Sequence, residues 1–155
     1  MAQDQQYVTF GIDRETFAIP VHMVQEILDL QPISRLPRAP DYLLGLMDVR
    51  GAGMPIIDLR IKFGLPPVEP TNRTRVIILE STGVSYPAIG LVADCVFEVT
   101  NLGGLDLQPP PALGRKWKSD CVTGIGRRGD DFVIVLELEK LLDTDAAFGR
   151  LEEVA

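Results

Sequence analysis

The chain has 155 residues, 46% of them hydrophobic, which is enough for a soluble globular core in one domain or in two small, intimately packed lobes. Its 22 acidic and 15 basic residues give a net charge of −7, which speaks against a general nucleic-acid or anionic-membrane binder, because such proteins present a basic face. Gly 14 and Pro 12 are spread along the chain, a composition that suits many short strands joined by tight turns and predicts a mostly β fold.

From the N-terminus, Val8, Phe10 and Ile12 alternate with smaller or polar residues and predict a strand over 6–12, closed by the polar turn Asp13-Arg14-Glu15. Residues 16–19 read as the returning strand. Pro20 suits the start of a short helical turn over Val21-His22-Met23, which feeds a strand over 24–28. On strict alternation Glu26 shares a face with Val24 and Leu28, so its carboxylate lies either at the rim of a core or on an exposed binding edge. Residues 31–40 contain Pro32, Pro37 and Pro40 and read as an extended loop that cannot pair as a central strand. One helical turn is expected over 40–44, with Pro40 at its start and Gly45 just past its end.

The run 45–59, GLMDVRGAGMPIIDL, packs a hairpin, an isolated cation and an apolar strand into one segment. Arg50-Gly51-Ala52-Gly53 supplies the turn, with positive φ available at the glycines, and Met54 to Ile57 leads out. Arg50 at that tip is either a solvated turn residue or a donor fork held in place by the strands on both sides. Asp58 caps a short helix over 59–63 that Gly64 ends, and the proline-rich 65–72 is the best linker candidate.

The second half restarts with strands over 74–80, 86–93 and 96–100, the first two joined by a turn at Ser81-Thr82-Gly83. Residues 102–113, with Gly103, Gly104 and three consecutive prolines, read as loop. A hairpin with its tip over 124–131 comes after it, then an apolar strand over 132–138, a helix over 139–145 and a frayed acidic tail.

The halves look alike. Val24-x-Glu26-Ile27 corresponds to Val96-x-Glu98-Val99 at an offset of 72 (98 − 26), and the hairpins correspond at an offset of 79 (124 − 45 and 137 − 58). Two similar halves of about five short strands predict two small barrels that leave few long exposed edges, with a groove between them where ligands or partners sit. The expected lobes are 14–66 and 72–142, with 1–12 a strand packed at the barrels and 143–155 a helical or frayed tail.

The residues point to recognition rather than turnover, and no enzyme, cofactor or metal centre is expected. Gly124-Ile125-Gly126-Arg127-Arg128-Gly129 satisfies GxGxxG, but a dinucleotide fingerprint needs a helix after the glycines, and the next residues, Asp130-Asp131-Phe132-Val133-Ile134-Val135, read as a strand. Cys95 and Cys121 lie in apolar, strand-like contexts and read as buried free thiols, not as a disulfide or metal pair. Nothing in the spacing brings either one to His22, the single histidine, as a thiol enzyme would require. Ser81, Ser85 and Ser119 lack a nucleophile-elbow context. Arg115, Lys116, Trp117 and Lys118 form one basic-aromatic cluster, read as a solvated loop. MAQDQQYVTF lacks the regions of a secretory signal and no apolar run approaches a membrane span, so a cytoplasmic protein is expected.

Several segments, in order, carry a resemblance: Val24-Gln25-Glu26-Ile27, Leu36-Pro37-Arg38-Ala39-Pro40, Gly45-Leu46-Met47-Asp48-Val49-Arg50-Gly51, Pro55-Ile56-Ile57-Asp58-Leu59, Ile89-Gly90-Leu91-Val92-Ala93-Asp94 and Thr123-Gly124-Ile125-Gly126. Together they resemble the CheW-like family, the coupling proteins of bacterial chemotaxis, from Tyr7 to Leu142. The resemblance implies two intertwined SH3-like five-stranded β-barrels without enzymatic activity. It implies an adaptor between chemoreceptor cytoplasmic tips and the regulatory domain of a CheA-like histidine kinase, recruited to membrane-associated receptor arrays. Val24, Glu26, Gly45 and Arg50 match positions that the family uses for partner contact, and Asp48 joins them as a candidate. The chain departs from the family at Asp48, usually Asn, and at Ala52 and Gly53, usually bulky and apolar. Asp48 either pairs with Arg50 or seeks another group. These departures leave a coupling protein of a divergent, non-flagellar chemosensory pathway as the alternative reading.

Overall fold

Alternation of apolar side chains builds the strands largely where the spacing predicts them. In a computed structural model, which describes residues 6–80, 88–101, 108 and 122–137, β1 (Gln6–Ile12) returns as β2 (Glu15–Pro20), and a single 3-10 turn, Val21–Met23, leads into β3 (Val24–Asp29). The two-residue β4 (Ile33–Ser34) pairs with β5 (Leu43–Val49), and β6 (Ala52–Asp58) runs into α1 (Leu59–Lys62). β7 (Arg75–Glu80), β8 (Ala88–Ala93), β9 (Cys95–Asn101), β10 (Val122–Arg128) and β11 (Asp131–Leu136) complete a mostly β chain.

The strands form two sheets, ordered β10-β11-β2-β1-β9 and β3-β7-β8-β6-β5-β4. Without β4 the two orders are equivalent under the sequence repeat, and the equivalence extends to single residues. Gly45 pairs with Ile56 and Leu43 with Ile57, with a bulge between them; Gly124 pairs with Val135 and Val122 with Leu136, again with a bulge. All four positions are displaced by 79 (124 − 45, 135 − 56, 122 − 43, 136 − 57). The 72-residue offset holds equally, because a bulge falls between Val24 and Glu26 against β7, and between Val96 and Glu98 against β1.

Each hairpin then pairs in parallel with a strand of the other half, Ile56 opposite Gly90 and Val135 opposite Ala18. The halves therefore exchange strands. The sheet boundaries do not coincide with the lobes expected at 14–66 and 72–142. One sheet is drawn wholly from 24–93, the other from 6–20 together with 95–136. A proline-rich segment marks a loop, but parallel partners are chosen by long-range packing, which such a segment does not encode.

Burial follows the strand faces. The largest cluster, including Phe10, Ile12, Ile19, Leu43, Ile57, Ile77, Ile89 and Leu91, draws on both sheets and lies where they meet. Met47, Val49, Ile56, Val76 and Ile78 fill the other side of the 24–93 sheet, and Tyr7, Ala18, Val133 and Val135 fill the corresponding side of its counterpart. Burying each large side chain contributes roughly 1.5–3 kcal/mol before conformational entropy is charged, so the shared cluster dominates cohesion between the sheets.

Three local expectations are corrected. The helical turn over 40–44 is a single turn in which Leu43 N–H donates to the Pro40 carbonyl, and Leu43 already opens β5, so Gly45 lies inside a strand. Both hairpin tips are tighter than the spacing suggests, with Val49 facing Ala52 across Arg50-Gly51, and Arg128 facing Asp131 across Gly129-Asp130. The helix after Asp58 ends at Lys62, with Phe63 as its C-cap and Gly64 beyond at φ +83°. The helix expected over 139–145, the turn at Ser81, Cys121, Ser85, Ser119 and the cluster around Trp117 lie outside the described residues.

Candidate interaction site

A two-residue hairpin whose twist matches its strands needs positive φ at its central residues, which normally selects Asn-Gly or Gly-Gly. Here the turn is Arg50-Gly51, with φ +53° and +86°. Glycine adopts this freely and arginine does not, so neighbouring contacts must hold Arg50 there. One comes from Asp48, whose Oδ1 accepts the Gly51 N–H at 2.8 Å and closes the turn from within. Of the two readings open for Asp48, pairing with Arg50 finds no described contact, and the carboxylate is spent on the backbone instead.

The guanidinium goes to Glu26. Nη1 and Nη2 donate to the two carboxylate oxygens, each at 2.6 Å, a bidentate fork with both partners in line. The pair is 24 residues apart in sequence, with Glu26 on β3 and Arg50 in the turn between β5 and β6, neither of which neighbours β3. β7 and β8 separate β3 from β6, so the contact requires the 24–93 sheet to curl until its hairpin tip meets its far edge. Arg50 nonetheless keeps 71% of its side-chain surface exposed and Glu26 28%. The hydrogen bonds from Arg50 hold the Glu26 carboxyl below the ordinary glutamate range, outweighing partial desolvation, and the same bonds raise Arg50 further. The carboxylate is therefore ionised at neutral pH and committed to the fork.

The remaining candidates divide. Val24 is half-buried on the same strand as Glu26 and packs against the shared core. Gly45 serves the fold: at φ +141° an added Cβ would stand 2.0 Å from the Ser34 carbonyl oxygen, so the bulge and the passage of β4 require glycine. The structure thus brings Glu26, Asp48 and Arg50 together at one tip, with Val24 two residues from Glu26, and sets Gly45 within the sheet behind them.

The spacing does not mark Ile27 as a contact residue. It flanks Glu26 and is 39% exposed, one of few large apolar side chains left so open among the described residues. Its equivalent in the repeat, Val99, is 51% exposed, so the signal was available in the aligned motif. The equivalent of Arg50 is Gly129, also at positive φ, and the β10–β11 tip carries no cation at that position.

The GxGxxG run lies in the β10–β11 hairpin and leads into β11, not a helix. Cys95 is a half-buried free thiol and His22 is exposed. Among the described residues no three His, Cys, Asp or Glu side chains gather as metal ligands would, and no helix is long and apolar enough to cross a membrane.

The family model for the CheW-like domain matches residues 6–146. The chain belongs to the CheW-like family. It is 31% identical to the chemotaxis protein CheW of Klebsiella aerogenes over 141 residues, which cover 91% of this chain and 83% of that protein. It is 30% identical to the probable chemotaxis protein CheW of Rhizobium etli over 138 residues, covering 89% and 87%. Among solved structures it resembles the scaffolding protein TtCheW from Thermoanaerobacter tengcongensis, with a TM-score of 0.79 and 27% identity over 90% of this chain and 93% of that one. As a CheW-like protein it is a chemotaxis coupling adaptor and not an enzyme.

Proposed function

We propose that this CheW-like adaptor bridges the cytoplasmic tip of a chemoreceptor to the regulatory domain of a CheA-like histidine kinase, and that the Arg50 tip is part of its contact surface. The observation that supports this is the exposed bidentate Arg50–Glu26 pair: it joins the two ends of one curled sheet, stands outside the core, and is absent from the equivalent tip at Gly129. Val24 and Ile27 supply apolar contact on the same strand, and Asp48 fixes the turn. Apolar contact gives affinity, while the charged fork gives register and excludes wrongly charged partners. A bridge of this kind transmits signal by holding receptor and kinase in fixed geometry, so that the receptor's conformational bias reaches the kinase as a coupling free energy. Recruitment to membrane-associated receptor arrays is then a consequence of receptor binding.

Calorimetric titration of the full chain with receptor-tip and kinase regulatory-domain fragments tests this. Binding of both at tens of micromolar or tighter is expected, weakened at least about tenfold for one partner by Arg50→Glu and partly restored by adding Glu26→Arg. Failure of both fragments to bind the wild-type chain would refute the reading. An Arg50→Glu variant that binds both normally would remove the tip from the contact surface.

A further inference from the structure

The chain passes between the two sheets at two places within the described residues, through the turn Val21–Met23 and through Asp94, the single residue between β8 and β9. A second charged group gathers at Asp94, away from the Arg50 tip. Its N–H donates to the Gly11 carbonyl at 2.9 Å, and its Oδ2 accepts the Asp13 N–H at 2.7 Å, so Asp94 is stitched to β1 and to the β1–β2 turn of the other sheet. Arg60, on α1 beyond the 24–93 sheet, donates from Nη1 to the same Oδ2 at 2.9 Å and from Nη2 to Asp13 Oδ1 at 3.4 Å. Its Nε donates to the Pro66 carbonyl at 2.9 Å. Every nitrogen of one guanidinium therefore has a partner, and the partners lie on three separate segments.

Arg60 is enclosed, with 8% of its side chain exposed, whereas Asp94 and Asp13 retain 30% and 49%. A buried ion pair is poor evidence for stability, since desolvation offsets much of its attraction, but it does impose direction. The apolar cluster between the sheets is cohesive yet non-directional, and packed layers slide in small shear steps without losing their contacts. Phe63 stacks on Phe17 with centroids 5.4 Å apart and helps hold α1 to β2, but one ring pair does not fix an angle. Arg60 and Asp94 both border an open cleft of about 800 Å³, lined by Leu36, Leu43, Ile61 and Leu65 among others, so apolar packing does not surround the pair on every side.

We propose that Arg60, Asp13 and Asp94 form a clasp that fixes the orientation of one sheet relative to the other, and that its release frees the sheets to move against each other. Arg60 is a positioning residue in this device. The proposal stands whether or not the Arg50 tip meets a partner, because it concerns the free chain.

Residual dipolar couplings of the whole, isotopically labelled chain test it, with the couplings of the two sheets fitted separately. In the wild type one alignment tensor is expected to serve both sheets. Arg60→Met keeps the apolar stem but removes the fork, and it should split the fit into two tensors of different magnitude. Asp13→Asn, at an exposed turn, should do the same to a smaller degree and serves if Arg60→Met does not fold. Gly90→Ala is the control, expected to lower the melting temperature while one tensor still fits. The clasp is refuted if the wild type already needs two tensors, or if the folded clasp variants keep one tensor and lose only stability.

Discussion

The hairpins β5–β6 and β10–β11 share register, bulge and turn length at a constant displacement, and a positive-φ glycine in each turn, yet the remaining turn residue differs between them. One places Arg50 on Glu26, while the other has Gly129 and then Asp130. The backbone solution is thus separable from what the tip carries. A tight hairpin with a bulge at its base is enough to build either sheet, and the cation is an addition that the frame does not need. The same separation appears inside the sheets, where Gly90 and Ala18 occupy equivalent positions opposite Ile56 and Val135.

The largest effect should come at the hairpin base. Gly45→Ala forces a Cβ onto the Ser34 carbonyl at a φ that L-residues rarely adopt, and a loss of about 3 kcal/mol or more is expected in urea melts. Gly53→Ala, whose Cβ would meet Leu46 at an ordinary 3.4 Å, is the matched change and should cost little. Equal losses at the two sites would undo the account of the bulge.

Next is Gly90→Ala, where the added methyl would lie 2.6 Å from Ile56 Cδ1 and 2.7 Å from Val76 Cγ1. Overpacking of this kind costs roughly 1–3 kcal/mol. Adding Ile56→Val imitates the Ala18–Val135 pairing of the other sheet and should recover part of that cost; a double variant no better than the single one would break the equivalence.

Asp58 and Glu137 form the next equivalent pair. Asp58 caps α1 by accepting the Arg60 N–H at 2.9 Å, and Glu137 instead accepts the Thr123 hydroxyl at 3.1 Å. Asp58→Ala should cost about 1 kcal/mol through loss of the cap. Burial, chiefly, raises the Asp58 carboxyl above the usual aspartate range, against the pull of the α1 amides. A carboxyl raised in the folded state binds more protons there than when unfolded, so this group's contribution falls as pH rises from the unfolded value through the folded one. Asp58→Asn keeps a cap acceptor and removes that slope, so its stability relative to wild type should improve as pH rises through that window. Urea melts across the window decide it, and parallel pH profiles would contradict the burial argument.

The smallest effect on folding is expected at the Arg50 tip, because exposed ion pairs contribute little net stability. Arg50→Ala should leave the thermal midpoint nearly unchanged at neutral pH. For Glu26, whose folded value is depressed, the contribution is present above the unfolded value and lost as pH falls through the folded one, so wild type and Arg50→Ala should converge in acid. A large loss at neutral pH would mean that the fork closes the sheet and is not a surface addition.

Much of this was legible in the chain. Alternation at Val8, Phe10 and Ile12, the cap at Asp58 and the paired Val-x-Glu motifs each depend on neighbours within a few residues. Glu26 and Arg50 were visible singly but not as a pair, because their meeting depends on the curl of a sheet with two strands between them. Gly45 read as a helix end because Pro40 and Gly45 bracket four residues as caps do, and only the pairing of β4 with β5 shows that its backbone is needed inside a strand. Asp13 reads as a turn residue and Asp94 as part of a strand-like run, since nothing local says that the arginine after Leu59 will be enclosed between them.

The exchange of strands also orders the assembly of the chain in time. A growing polypeptide can complete the 24–93 sheet once Ala93 has been made, from strands that all lie within about half of the sequence. The other sheet must hold β1 and β2 ready until β9, β10 and β11 exist, and its pairing of Gly11 with Cys95 closes a longer loop (95 − 11 = 84 residues) than that of Val24 with Leu79 (79 − 24 = 55). Pulsed hydrogen exchange during refolding should therefore protect the amides of β5, β6, β7 and β8 before those that join β1 to β9. The early hairpin β1–β2 then spends the longest interval with its edges unpaired, which makes it the segment of this chain most exposed to misassociation as it is synthesised.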